Sequence, residues 1–208
     1  MTRRNTKLNV ASLHPGLTGL NLLTMTYYGP KELAAAFRTV RKNTIQIAED
    51  IPEEHYGFRA APESRTVAET LVHIAVSTRF PEQVHLKEHR TTMEGVDFFG
   101  ILSKLNAEEK ATRSKAQIVE LLQSEGERYA QGLEALTEDQ LARTVELPNA
   151  AGAPPKTTFE MLLGPKEHEM HHRAQLIVIE RMLGLTPHLT RQMQQRMEAM
   201  RTAQAVGA

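Results

Sequence analysis

The sequence predicts an all-α fold: a four-helix bundle with short extra helices. Four segments carry apolar residues at spacings of three and four, the period of a helix with one buried stripe. Three of them open on Ser or Thr with Glu or Gln three residues later, the spacing of a capping box. No segment shows a convincing strand pattern, and four long helices of this kind bury their stripes by packing as a bundle.

Taken in order, the first helix begins near Pro30, a residue suited to a first helical position. Leu33, Phe37, Val40, Thr44 and Ile47 form its stripe, and Pro52, Gly57 and Pro62 interrupt the segment after it. The second opens at "TVAE", where Thr66 and Glu69 have box spacing; Val67, Leu71, Ile74 and Ala75 make its stripe and Pro81 is expected to end or kink it. A looser stretch, "TTMEGVDFFGILSKL", has room for one short helix. The third helix, 113–136, is capped by Ser114 with Gln117 and buries Ile118, Leu121, Leu122, Tyr129, Leu133 and Leu136. "LTEDQL" reads as a short helical turn and "LPNAAGAPPKT" as loop. The fourth helix starts at Thr157 with Glu160 and stops at Gly184; Pro165 within it predicts a kink. A Met-rich polar helix, 189–202, closes the chain.

Composition narrows the function. The chain has 208 residues, 40% hydrophobic and 24% charged, which suits one domain with a sizeable core. Residues 25–208 are read as that single domain. Residues 1–24 are read as an N-terminal extension, since Met25 stands just before "TYYGP". The formal net charge is zero, which argues against a nucleic-acid partner. No apolar run approaches the roughly 18 residues a membrane helix needs. The N-terminus lacks a small-residue cleavage site, so a cytoplasmic location is expected. There is no cysteine, which excludes disulfides and protein thiolates, so a metal would have to be held by His, Asp, Glu or backbone oxygen.

The most informative stretch is "EHEMHH", residues 167–172, with three of the chain's nine histidines. On a wheel of about 100° per residue with His168 at zero, His172, Gln175, Ile179 and Met161 all lie within ~40°. His168 and His172 therefore sit in the apolar stripe, one turn apart, and histidines at i and i+4 can grip one ion. His171 lies at the stripe's edge; Glu167 and Glu169 fall off it. A second pair, His85 and His89 in "HLKEH", has the same spacing but lies among Lys87, Glu88 and Arg90 and reads as a solvated surface pair. A third ligand must come from another helix. His73 in "TLVHIAVS" is the best candidate, although its periodicity alone makes it a half-exposed boundary residue.

With these residues in view, the chain resembles the DinB/YfiT-like superfamily of metal-dependent enzymes. "IPEEHYGFRAAPESRTVAETLVHI" is similar to that family's approach to its first ligand histidine, and "EHEMHHRAQL" to its HxxxH pair. The resemblance covers residues 30–184. It implies a four-helix bundle, commonly a homodimer, with one divalent metal held by His73, His168 and His172. Ala174 stands where the family commonly has glycine; Pro165 is also unusual. His171 would then be a surface residue or a neighbour of the ligands, and Gln175 and Glu69 are candidates to orient the ligands by hydrogen bonds.

Three neutral imidazoles leave the ion's charge uncompensated, and such an ion acidifies water or a thiol placed against it. This chemistry allows two enzyme classes: a hydrolase, or a transferase acting on a low-molecular-weight thiol as its small-molecule substrate, with Glu69 or Glu169 as candidate bases. Zinc and nickel are the expected metals. The alternatives are a non-catalytic, metal-stabilised stress or interaction protein, and a metal-free bundle that dimerises through Met193, Met197 and Met200. Segments 91–106 and 145–156 are expected to line the pocket.

Overall fold

The computed structural model describes residues 28–148 and 152–206; the segment 1–24, read as an extension, lies outside the described residues. Helix α1 spans Pro30–Asp50 and α2 Val67–Ser77, followed by the short α3, Arg79–Pro81, and a π-helical turn at Glu82–Lys87. Helix α4 is Phe98–Glu109, α5 Lys115–Glu134, α6 Glu138–Ala142, α7 Thr158–Met182 and α8 His188–Val206. The four long helices of the expected bundle are α1, α2, α5 and α7, with α1 packed along α5, α2 against α4 and α5, and α7 against α1 and α2.

The three expected capping boxes are all formed, at Thr66/Glu69, Ser114/Gln117 and Thr157/Glu160. A fourth, Thr137/Gln140, starts α6. One expectation, that no strand forms, needs correction, and two others become specific. The α-helical winding ends at Pro81, but the chain continues in a helical course. Glu82 N–H still reaches the Thr78 carbonyl at 3.0 Å, and the winding then widens so that Glu88 N–H reaches Gln83 at 3.0 Å. The loose stretch before residue 110 holds a 12-residue helix, α4, whose cap is Asp97 Oδ1 accepting from Gly100 N–H at 2.9 Å. Two two-residue strands, β1 (Thr144–Val145) and β2 (Lys156–Thr157), pair antiparallel just before α7. Helix α7 runs through Pro165 as one element; the missing N–H leaves only the Met161 carbonyl without its helical donor.

Two apolar clusters fill the bundle. One gathers Ile47, Leu71, Ile74, Ile118, Leu122 and Leu176; the other Leu33, Phe37, Tyr129, Leu133 and Leu162. On α1, α5 and α7 the residues between them are Arg41 and Thr44, Gly126, and Glu169. Arg41 Nε lies 3.0 and 3.1 Å from the two Glu169 carboxylate oxygens, and Thr44 Oγ1 donates to Glu169 at 2.7 Å. Arg41 also donates to the Leu122 carbonyl on α5 at 2.8 Å and the Ile74 carbonyl on α2 at 3.2 Å. One guanidinium thus touches all four long helices. Gly126 makes the space: a Cβ there would come within 2.7 Å of Arg41 Cγ.

Helix α8 joins this body at its start, where His188 Nε2 faces Asn43 Oδ1 at 3.2 Å and Arg191 pairs with Asp50 at 2.6 Å. Next to this junction Glu180 is fully buried. Burial and the nearby Asp50 push its carboxyl up to about 7.

Arg41→Leu is expected to destabilise the fold by about 3–5 kcal/mol, because Glu169 would be left as an unpaired buried charge. The double variant Arg41→Leu/Glu169→Leu should recover much of that loss. Urea denaturation of both variants measures the difference.

Candidate metal centre

Helix α2 supplies His73 and α7 supplies His168 and His172. One ring nitrogen from each lies within 4.8 Å of the others. His73 Nε2 stands 3.0 Å from His168 Nε2, and His172 Nε2 stands 3.2 Å from the same atom. His172 is buried, while His73 and His168 are half-buried at the lip of the bundle.

The outward nitrogens fix the protonation pattern. His73 Nδ1–H donates to Glu109 Oε1 at 2.6 Å, and Glu109 is anchored through its other oxygen by Arg65 Nε at 2.7 Å. His172 Nδ1–H donates to Gln175 Oε1 at 2.9 Å, and the Gln175 amide in turn reaches His171 at 3.2 Å. With their protons on Nδ1, both rings direct an Nε2 lone pair at His168. Both face the same atom, and a neutral His168 Nε2 carries at most one hydrogen, which answers one lone pair and leaves the other without a donor. A cation at the centre removes that conflict, so the donor set fits a divalent ion.

Electrostatics point the same way. Burial, followed by the neighbouring His172 and His73, lowers His168 to about 4. Burial also lowers His172. Burial opposes ionisation of Glu109, but the hydrogen bonds from His73 and Arg65 outweigh it and hold the carboxylate below its ordinary range. Burial thus favours the neutral form of His168 and His172, and the acceptor of the His73 proton is charged at neutral pH.

Of the residues named from sequence, His73, His168 and His172 are brought together and Gln175 touches a candidate ligand. Glu69 does not: its carboxylate accepts from Thr66 N–H at 2.8 Å and pairs with Arg59 at 3.1 Å, capping its own helix at the cavity rim. Glu169 is corrected outright. It is 1% exposed and committed to Arg41, on the face of α7 turned toward α1. The wheel placed it off the stripe because periodicity of apolar residues cannot register an inward charge that a distant arginine neutralises. His85 is a further correction: it is buried, only 2% exposed, where a solvated surface residue was expected. Glu109 and Arg65 were missed. Nothing in "AEEK" marks one glutamate over its neighbour; the contact spans 36 positions and exists only once α4 lies against α2.

Two cavities flank the triad. One, of about 850 Å³, carries charged side chains in its walls and includes His172, Gln175, Arg65 and Glu109. The other, of about 290 Å³, is lined by His73 and His168 and by apolar side chains from α2, α4 and α7. The expected segment 91–106 contributes Phe98, Leu102, Leu105 and Asn106, whereas none of the described residues of 145–156 lines either cavity.

A sequence profile of the DinB superfamily matches residues 36–176. The chain belongs to the DinB superfamily. The uncharacterized protein YjoA of Bacillus subtilis is 30% identical over 159 residues, 74% of this chain and 91% of YjoA. The crystal structure of the DinB-like YjoA superposes with a TM-score of 0.55, at 26% identity, over 74% of this chain and 93% of that one. YfiT from Bacillus subtilis, described as a probable metal-dependent hydrolase with an unusual four-helix bundle topology, superposes at 0.59 with 20% identity, over 76% and 89% of the two chains. A mycothiol-dependent maleylpyruvate isomerase superposes at 0.56 with 13% identity, over 72% and 61%. The last two share the DinB fold with this chain.

In metal-free protein, the His168 ring is expected to titrate near pH 4, read from its ring-proton shifts by NMR. Its folded pKa is depressed, so its contribution to stability is fully present above the ordinary imidazole value of about 6.5 and is lost as pH falls toward 4.

Proposed function

We propose that this DinB-superfamily protein is a metal-dependent enzyme of the hydrolase or low-molecular-weight-thiol S-transferase type, with His73, His168 and His172 holding one zinc or nickel ion. The convergence of three Nε2 atoms, two of them locked as acceptors by Glu109 and Gln175, carries the reading. Among the described residues the cluster has three donors and no fourth His, Asp or Glu, which favours an open, catalytic arrangement over a closed structural one. The flanking cavities give a substrate access to that open side.

A divalent ion held there supplies a concentrated positive charge that lowers the pKa of a water or thiol placed against it. The chain's own part is to orient His73 through Glu109 and Arg65, to orient His172 through Gln175, and to keep the His168 and His172 rings unprotonated. No cysteine competes for the ion, so a thiol substrate would come from outside. The likeness to a mycothiol-dependent isomerase supports the transferase branch, and the likeness to YfiT the hydrolase branch. A cytoplasmic location suits either branch.

Elemental mass spectrometry of untagged protein purified without chelator should find about one ion per chain, absent from His168→Ala and His172→Ala. Glu109→Ala should weaken metal affinity by about 10- to 100-fold. Turnover of an activated ester or of a thiol with an electrophile should be lost with the metal. A full complement of metal with no turnover in either screen would support the non-catalytic, metal-stabilised alternative. Absence of metal together with no thermal stabilisation by added zinc or nickel would sink both.

The same reading includes a homodimer. Helix α8 exposes Leu189, Met193, Met197 and Met200, and α7 exposes Val178 and Met182. Light scattering should give a dimer mass, reduced to the monomer by Met193→Glu/Met197→Glu with metal content unchanged.

A further inference from the structure

His85 is a polar group built into an apolar cavity. The cavity of about 290 Å³ has His73 and His168 in its wall and His85 in the same lining, with Val76, Phe80 and Leu102 among its apolar members. His85 is 2% exposed, and its ring makes no hydrogen bond with any described residue; Nδ1 is shut off from solvent. Leaving a buried imidazole unsatisfied costs about 1–3 kcal/mol. A second void lined by His85, of about 10 Å³ and near His89 and Gln140, is at the lower limit for a single water.

The backbone that presents His85 is also unusual. It sits in the π-helical turn Glu82–Lys87, a winding often found at functional sites. Two residues beyond the turn stands His89, a non-glycine residue with φ 48°, whose ring contacts the His85 carbonyl at 3.1 Å. Glu82, on the same turn, cannot serve His85, because it is held by Arg128 and Lys87. Burial lowers the proton affinity of His85, so the ring is neutral and offers one donor and one acceptor.

We propose that this cavity is the subsite for the apolar body of the substrate, one aromatic ring or short acyl chain, and that His85 selects substrates whose body ends in a neutral hydroxyl or carbonyl. The inference rests on the reading that the histidine triad is the reacting centre, since that reading makes the cavity a substrate site. Its size lies at the small end for ligand sites. A site built to hydrogen-bond a polar substrate atom strongly disfavours the analogue without it.

The test uses p-cresol and p-xylene, nearly isosteric rings that differ by a hydroxyl against a methyl. Binding to the full-length protein, as purified, is followed by calorimetry and by NMR shifts of the His85 ring. p-Cresol is expected to bind at least ~5-fold more tightly than p-xylene and to shift the His85 ring signals. His85→Phe should abolish or reverse the preference, and His85→Gln should retain part of it. Failure of both ligands to bind, equal binding of the two, or a preference that survives His85→Phe would each overturn the proposal. The shifts in the wild-type protein decide the matter even if a variant fails to fold. Binding of p-cresol needs no metal, so the failure of this proposal and the failure of the metal reading are separate results.

Discussion

The buried contact between Arg41 and Glu169 is the constraint on which the rest of the bundle depends. Arg41 reaches one carboxylate and two main-chain carbonyls, and in doing so ties α1 to α7, α5 and α2. A buried ion pair contributes little net stability against an apolar replacement, but breaking it is costly. Its larger effect is geometric. Glu169 must face α1 to meet Arg41, and that sets the rotation of α7 about its axis. His168 and His172 are thereby turned toward α2 and His73. Gly126 belongs to the same device, because only a residue without a side chain lets α5 approach the arginine stem.

The site is organised from outside inward. Glu109 and Gln175 do not stand among the three nitrogens; they act by taking the protons on the far sides of His73 and His172. Hydrogen bonds of this kind fix ring orientation and tautomer and raise ligand basicity. Helix α4 is therefore more than a cover over the core. It brings Glu109 to α2 and supplies part of the wall of both cavities.

The two cavities differ in chemistry and share α4 as a boundary. The larger carries cationic and anionic side chains together, Arg65 against Glu109 and Arg59 against Glu69. The smaller is mostly apolar, with Ser77, Asn106 and Glu109 beside its histidines. The placement of a neutral, buried imidazole in the smaller one, on a turn wound more widely than an α-helix, sets a polar feature where apolar packing would be more stable. Local sacrifice of stability of this kind is typical of residues kept for what they bind.

Periodicity and capping boxes alone determined the four long helices, their starts at Pro30, Thr66, Ser114 and Thr157, and the all-α class. These signals are local, because a helix's stripe and its cap are written within a few residues of one another. The HxxxH pair was legible for the same reason: one turn of helix fixes the spacing. His73 was legible only through family resemblance, since its own wheel placed it at a boundary. The tertiary structure decided what depends on distant residues. It turned Glu169 from a candidate base into the partner of Arg41, 128 positions away. It moved His85 from a supposed surface pair into a cavity and recruited Glu109. A charge or an imidazole carries no local mark of which partner will neutralise or bond it, so burial of polar groups is settled only when the helices meet.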